Sequence, residues 1–186
     1  MEWMPALRPG WLNGWLFWLV LSLTDVILFR LFPKPVVTRL FDRSGWSRKQ
    51  VLFTVLGKWF ALVCLALITF TPLKVGSPVF WVGALVAALA LIGLVRALFD
   101  FRNTPPDQPV TRGLYTISRH PQIVMSSLVL LGACFAIGSW SAVLMWVAAR
   151  VFSHYGILAE EEVCLKQYGD SYRAYMERVP RYFLFF

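Results

Sequence analysis

The hydrophobic positions of this chain fall into five long runs that are separated by polar segments. The runs cover residues 11–32, 51–71, 79–99, 121–137 and 141–159. The first three have the roughly 20 residues that an α-helix needs to cross a bilayer. The fourth rises only about 25 Å against a hydrocarbon core of ~30 Å, so we expect the last two runs to form a tilted helical hairpin.

The composition is typical of a membrane protein. Hydrophobic residues make up 58% of the 186 positions and charged residues 15%, with a mean hydropathy of +0.62, whereas a soluble domain is nearer half apolar and a quarter charged. The predicted fold class is all-α: an integral membrane bundle of about five transmembrane helices, without a Rossmann domain. We expect one membrane domain, residues 1–186, with a three-span N-terminal part (1–100) and a C-terminal part (101–186) that carries the candidate chemistry.

The positive charges are divided unequally between the two ends of the predicted helices. With the N-terminus outside, 15 of the 18 lysines and arginines fall on the inner side, Arg8 and Lys74 fall outside, and Lys58 lies within a span. Such an excess marks cytoplasmic loops. The C-terminus is therefore predicted to be cytoplasmic, in a bacterial or archaeal inner membrane or in the endoplasmic reticulum. The net charge of +8 then reflects topology and anionic headgroups rather than a nucleic acid partner.

A polar segment, Gly113-Leu-Tyr-Thr-Ile-Ser-Arg-His-Pro121, directly precedes the fourth run. Ser118 is predicted to cap this helix, and Pro121 to occupy its first turn, where the missing N–H of proline costs nothing. Arg119 and His120 then lie at the mouth of a helix. Unpaired N–H groups at such a mouth attract an anionic or polar ligand group.

Three consecutive glutamates, Glu160 to Glu162, follow the fifth run directly. Carboxylates at the C-terminal end of a helix oppose its dipole, which favours a functional role over a merely solvated helix end. Arg150, His154 and Glu161 share one helical face, because their spacing is four and seven residues. Singly, Arg150 is interpreted as a snorkelling arginine and His154 as a packed interfacial histidine. Together with Glu161 they predict a polar pocket on the same membrane surface as His120, because the hairpin returns there.

Two charged residues, Asp25 and Lys58, lie inside predicted spans, where charges are costly and usually paired or functional. Each is seven residues from the inner end of its run, and so roughly 10 Å deep. We expect them to pair across the first helical hairpin as a structural register lock. A role in substrate binding is the alternative.

Common catalytic and cofactor motifs are missing from the sequence. The glycine patterns of Rossmann and P-loop sites do not occur, so a nucleotide-like cofactor would have to be held in another way. Zinc-hydrolase and serine-hydrolase signatures are missing too, and no metal site is expected. The cysteines have no CxxC spacing and are expected to pack as small apolar residues: Cys64, Cys134 and Cys164. Tyr168, Tyr172 and Tyr175 recur at helical spacing, either as an interfacial aromatic belt or as one wall around a bound headgroup or cofactor.

The order of motifs in the C-terminal part resembles one family. Gly-Leu-Tyr-x-x-x-Arg-His-Pro is followed by two apolar helices, then by Glu-Glu-Glu, Tyr-Gly-x-x-Tyr-x-x-Tyr and Arg-Val-Pro. This combination covers about residues 107–181. It resembles the isoprenylcysteine carboxyl methyltransferases and the related phospholipid N-methyltransferases, and the first three spans match them in general character.

The resemblance implies an integral membrane methyltransferase that holds S-adenosylmethionine at the cytoplasmic side without a Rossmann fold. The acceptor would be a lipid or lipidated molecule, either an isoprenylcysteine carboxylate or a phospholipid amine. Carried over by position, the expected cofactor-binding residues are Asp107, Gln108, Pro109, Val110, Tyr115, His120, Pro121, Gln122 and Ile123, and Arg119 is added because of its position at the mouth of the helix. The expected catalytic residues are Glu160, Glu161, Arg150 and His154. An amine acceptor must lose a proton, which Glu161 or His154 could take, whereas a carboxylate needs a cation to position it.

Two departures from the family pattern bear on this assignment. Ile123 stands where the family usually has tyrosine, so one aromatic contact to the cofactor is missing. The arginine that carboxyl methyltransferases carry about one turn before the glutamates corresponds to a position near Gly156, with Arg150 and His154 as stand-ins. An amine-bearing lipid is therefore at least as well favoured as a carboxylate.

Two other functions stay open at this point. The wider superfamily resembles membrane sterol reductases that use NADPH near the same C-terminal region. A non-enzymatic transport or assembly protein could also have kept the scaffold. The partners expected in each case are the bilayer and a lipid, without nucleic acid or a metal ion.

Overall fold

The computed structural model describes residues 1–183, and this part of the chain is built from helices without a β-sheet. The seven α-helices are α1 (Trp15–Leu31), α2 (Lys34–Leu40), α3 (Arg48–Phe70), α4 (Pro78–Arg102), α5 (Pro121–Ala136), α6 (Trp140–Tyr168) and α7 (Asp170–Arg178). A short 3-10 helix, Gly113–Thr116, lies between α4 and α5. The predicted all-α fold class is confirmed.

Each of the five apolar runs forms a helix, but the helix ends follow local capping rather than hydropathy. α3 begins three residues before the predicted run because Ser47 and Gln50 form a reciprocal capping box. α6 continues nine residues beyond the predicted end and includes all three glutamates. Glutamate is a good helix former, and α6 stops only at Gly169, whose φ of +56° ends the helix.

The predicted cap of α5 is wrong, although its first residue is right. Pro121 occupies the first turn, but His120 stands at the N-cap position and makes no side-chain capping bond. The Ser118 hydroxyl instead accepts a hydrogen bond from the His120 N–H at 3.2 Å and donates to the carbonyl of Arg181 at 3.0 Å. Ser118 therefore joins the start of α5 to the C-terminal tail.

Two short helices, α2 and α7, were not predicted from the sequence. Both are polar enough to lack an apolar run, and they form at the ends of the long helices. α7 packs its apolar face inward through Tyr172 and Tyr175, which are buried with Val179. These short helices cover the same end of the bundle, where α5 begins and α6 finishes, which we call the site end.

Two helix pairs dominate the packing: α4 lies against α5, and α3 lies against α6. α5 and α6 are consecutive, but they touch each other much less than they touch those partners. The α4–α5 pair is close because Gly83 faces Gly132, and a Cβ atom on Gly83 would approach the Gly132 carbonyl oxygen to within 2.4 Å. Small residues at helix crossings allow this kind of approach in membrane bundles.

The outer surface of the bundle is apolar and indicates a membrane environment. α3, α4 and α6 are long and apolar enough to cross a bilayer, yet only 17%, 22% and 28% of their most apolar stretches are buried. Large hydrophobic side chains on these faces therefore require lipid as their solvent. α1 and α5 have 17 and 16 residues, about 25 Å of rise. Five crossings and the outside N-terminus stay predictions.

The predictions for the cysteines and for the charged pair Asp25 and Lys58 have different outcomes. Cys64 and Cys134 lie in the buried core as expected, whereas Cys164 is half-buried. The predicted register lock between Asp25 and Lys58 is wrong, because residues 1–183 contain no ion pair between them. Lys58 is exposed, and Asp25 lines a cavity at the site end.

The Gly83–Gly132 crossing yields a stability prediction. Gly83→Ala places a methyl group against the opposing backbone, and such overpacking costs about 1–3 kcal/mol. We expect a lower thermal unfolding midpoint in detergent micelles. Gly76→Ala is the matched control, since its Cβ would meet no atom within 4 Å, and equal midpoints for the two variants would contradict the close crossing.

Candidate active site

A tight turn after α4 sets the shape of the segment that precedes α5. Gly113 has a φ of +60°, and a Cβ atom there would overlap the carboxylate of Asp100. That carboxylate accepts a hydrogen bond from the Leu114 N–H at 3.1 Å and pairs with Arg96. The turn then carries Tyr115 into the protein, where its carbonyl accepts a hydrogen bond from the Tyr175 hydroxyl at 2.7 Å. Gly113 is needed because only glycine combines this φ with this close approach.

Arg119 ties the start of α5 to the C-terminal tail. Its backbone N–H donates to the carbonyl of Pro180 at 3.0 Å. Its guanidinium donates to the carbonyls of Met176 and Val179, each at 2.8 Å, and to Glu161. Arg119 is only 6% exposed, so these bonds form away from water.

Glu161 is the centre of a buried ionic cluster. Its carboxylate accepts hydrogen bonds from the Nε of Arg119 at 2.8 Å and from the Nη2 of Arg181 at 2.7 Å. The His120 Nε2 lies 3.3 Å from the same carboxylate. Since Glu161 is 3% exposed, its charge depends on these partners rather than on water. The cluster holds α6, the start of α5 and the tail together.

His120 lies between two carboxylates that differ in their surroundings. Its Nε2 faces buried Glu161, and its Nδ1 lies 3.5 Å from Glu160, whose side chain is 41% exposed. Burial alone would lower the pKa of His120, but contact with the two carboxylates outweighs burial and raises that pKa above its ordinary value. The sequence expectation that His120 and the acidic cluster meet on one surface is confirmed.

A cavity of about 420 Å³ opens beside His120 and Glu160 at the site end. Ligand sites in proteins commonly have volumes of about 300–1,000 Å³. The predicted site residues that line it are Pro109, Val110, Tyr115, Arg119, His120, Gln122, Ile123 and Glu160. The predicted residues outside its wall are Asp107, Gln108, Pro121, Glu161, Arg150 and His154.

The two glutamates thus have different positions although they are adjacent in sequence. Glu160 faces the cavity, and Glu161 lies behind it in the ionic cluster. Nothing in the sequence distinguishes them, because the difference depends on how α6 is rotated against α5. Of these two glutamates, Glu160 is the one that a ligand in the cavity can reach.

Arg150 and His154 lie on α6 outside the cavity wall. His154 Nδ1 and the Tyr182 hydroxyl are hydrogen-bonded at 2.7 Å. The Nε of Arg150 is buried without a hydrogen-bond partner among residues 1–183. At the position aligned with the family arginine, Gly156 packs against Thr54 and Trp46, and a Cβ atom would lie 2.9 Å from the Thr54 hydroxyl. An arginine side chain at residue 156 would therefore not fit this packing.

The three tyrosines at helical spacing have different positions: two line the cavity, and the third is buried in the packing. Tyr168 and Tyr172 line the cavity, and the Tyr168 hydroxyl also donates to the carbonyl of Pro106 at 3.0 Å. Tyr175 is buried and holds Tyr115 instead. Two of the three side chains therefore line the cavity, and their role as a wall around a bound headgroup or cofactor stays a prediction.

Residues 89–171 match the family model for phospholipid methyltransferases. The match supports a membrane methyltransferase. It confirms the resemblance drawn from the sequence and covers most of α4, the turn, α5, α6 and the start of α7, which is less than half of the chain. Neither a curated protein nor a solved structure matches the chain significantly.

Arg39 lies outside the segment that matches the methyltransferase family, yet it holds that segment in place. Its guanidinium donates to the carbonyls of Thr104, Pro105 and Gln108 at 3.0–3.2 Å and to the Tyr168 hydroxyl at 3.1 Å. In the sequence, Arg39 is one of the cations on the predicted inner side. Its position four residues after Pro35, within a loop rich in cations, gave no signal of these long-range contacts.

Replacing Glu161 is expected to affect stability first. Glu161→Gln leaves the buried guanidinium of Arg119 and the half-buried one of Arg181 without their counter-charge, and breaking a buried ion pair typically costs about 3–5 kcal/mol. The unfolding midpoint in detergent should fall strongly. Glu162→Gln is the control because Glu162 is exposed and hydrogen-bonds with Gln50; similar midpoints for both variants would contradict the role of the cluster.

The raised pKa of His120 yields a pH prediction. The histidine has a pKa of about 6.5 when unfolded, so its stabilising contribution is fully present below that pH and is lost as the pH rises through the higher folded-state value. We expect the difference in unfolding midpoint between the wild type and His120→Gln to shrink as the pH rises from about 6.5 through the folded-state pKa. A difference that is constant from about pH 5.5 to 8.5 would show that the histidine is not charged in the folded protein.

Proposed function

We propose that this protein is an S-adenosylmethionine-dependent methyltransferase that acts on a lipid or lipidated acceptor. The observation that carries the proposal is the cavity, which brings Glu160, His120 and Gln122 together at the site end of an apolar bundle. The family match over residues 89–171 supports methyl transfer as the reaction class. A cavity in this position suits a water-soluble donor that meets a membrane-bound acceptor.

The residues of the cavity fit a polar donor molecule. Gln122 lines the cavity, and its Nε2 is buried without a hydrogen-bond partner among the described residues. Buried polar groups are normally satisfied, so this amide is available to a ligand oxygen. Glu160 adds an acceptor, and His120, whose two ring nitrogens face Glu160 and Glu161, holds Glu160 at the cavity. We propose these three residues, with the wall at Pro109 and Val110, as the donor site.

When bound, S-adenosylmethionine supplies an already activated methyl group, so the protein's task is mainly alignment and exclusion of water. The ionic cluster around Glu161 fixes the start of α5, and with it the direction of His120. Glu160 contacts His120 and reaches the cavity, so it can accept a proton there. Arg150 and His154 stay proposals for the acceptor side, because neither lines the cavity.

The direct test is incubation of the purified protein with radiolabelled S-adenosylmethionine and total lipids, followed by identification of the labelled product. A labelled lipid supports the proposal. S-adenosylhomocysteine should also raise the unfolding midpoint, and NADPH should not. Stabilisation by NADPH without stabilisation by S-adenosylhomocysteine would favour the reductase instead, and donor binding without transfer to any lipid would favour a non-enzymatic role.

A substitution of Gln122 is expected to test donor binding without disturbing the fold. Gln122→Leu removes an amide donor that has no partner in the described chain, so the unliganded protein should keep its unfolding midpoint. Loss of one hydrogen bond to a charged ligand group costs about 1.5–3 kcal/mol. We therefore expect S-adenosylhomocysteine to bind roughly tenfold or more weakly in calorimetry, with Glu162→Gln as the unaffected control. Unchanged affinity would place the donor elsewhere.

A further inference from the structure

Asp25 is an acidic residue inside α1 for which the fold supplies no partner. It is half-buried and forms no ion pair with any of residues 1–183. Ionisable side chains inside membrane helices are rare, and they are usually paired or used. Because the pairing with Lys58 does not occur, a structural explanation for Asp25 is lacking.

The side chain of Asp25 lines the same cavity as His120 and Glu160, but at a different depth. Asp25 lies six residues from the end of α1, about 9 Å into the bundle. Ser126 of α5 and Leu94 of α4 line the cavity at about 8 and 12 Å from their helix ends. The cavity therefore extends from the helix ends at its polar mouth to a deeper region at the level of Asp25.

Apart from Asp25 and Ser126, the wall that extends inward from the helix ends is apolar. Phe29, Leu94, Leu98 and Ile123 line the cavity together with Asp25. A carboxylate in such surroundings favours a cation that carries N–H donors and disfavours a second anion, because charge is poorly screened there. The cavity is lined by two other carboxylates. Glu160 is already in contact with His120, and Asp42 accepts a hydrogen bond from the Ser44 N–H.

We propose that Asp25 binds the ammonium group of the methyl acceptor and takes the proton that this group must lose. This inference rests on the proposed methyltransferase function and assigns its acceptor as an amine. The ammonium gives one proton to the Asp25 carboxylate. The freed nitrogen lone pair then forms the bond to the methyl carbon as the carbon–sulfur bond breaks, and sulfur keeps that electron pair.

The assignment places acceptor recognition outside the segment that matches the family. α1 ends long before residue 89, so the family segment supplies the donor side of the cavity and α1 supplies the acceptor side. An ammonium group could also come from the amino-acid part of the donor. The experiment must therefore separate a lipid amine from the donor.

The first test measures occupancy of Asp25 without requiring turnover. A hydrophobic carbodiimide is reacted with the wild-type protein in detergent, and modification of Asp25 is quantified by mass spectrometry. Dioleoylphosphatidylethanolamine should protect Asp25 several-fold, whereas dioleoylphosphatidylglycerol should not. Equal effects of the two lipids, or protection by S-adenosylhomocysteine alone, would overturn the proposal.

The second test compares variants in methyl transfer to dioleoylphosphatidylethanolamine. Asp25→Asn should raise the KM for this lipid or lower kcat/KM by roughly tenfold or more, while the Kd for S-adenosylhomocysteine stays within about twofold. Asp25→Glu should restore part of the activity, and Glu177→Gln, an exposed acid outside the cavity, is the matched control. Parallel loss of donor binding, or unchanged lipid kinetics, would contradict the proposal.

The two hypotheses can fail separately. If the wild type binds no S-adenosylhomocysteine and transfers no methyl group, the proposed function is wrong, whatever the carbodiimide result. If the wild type transfers methyl groups only to a carboxylate, the function stands and the role of Asp25 is wrong.

Discussion

The buried carboxylate of Glu161 is the interaction on which the candidate site depends. Arg119 and Arg181 approach it from segments that are far apart in the sequence, before α5 and after α7. In a low-dielectric interior the buried carboxylate is stable only beside the positive charges of the two arginines. The three side chains therefore fix one arrangement of α6 and its neighbours. His120 is directed towards Glu160 because its other ring nitrogen faces this same cluster.

Helix packing determines where the cavity can exist. α4 lies against α5, and α3 lies against α6, so the two helices that carry the acidic and basic motifs touch each other little. At the site end the start of α5 is joined to α6 through Arg119, His120 and Glu161, and residues of α1, α2 and α4 complete the wall of the cavity. Tyr172 of α7 and Tyr115 of the short 3-10 helix also line the cavity.

The N-terminal part of the chain completes the cavity although it lies outside the family match. Arg39 holds the loop before the turn through three hydrogen bonds and α6 through a fourth, and Asp25 and Phe29 form part of the wall. The two parts of the chain therefore have different proposed roles. The matched segment carries the residues proposed for the donor, and the unmatched helices shape the region proposed for the acceptor.

The sequence by itself determined the helical membrane fold, the approximate helix positions and the meeting of His120 with the acidic triplet. These features follow from run length, from proline and glycine at the ends, and from hairpin connectivity. Only the tertiary structure decided that Glu160 faces the cavity, that Glu161 is buried with two arginines, and that Asp25 has no partner in Lys58. The physical reason is that helices that are apolar on all sides carry no periodic signal of which face turns inward. Close packing at particular small residues sets that rotation. The tertiary fold likewise brings Arg39 onto a loop more than 60 residues away.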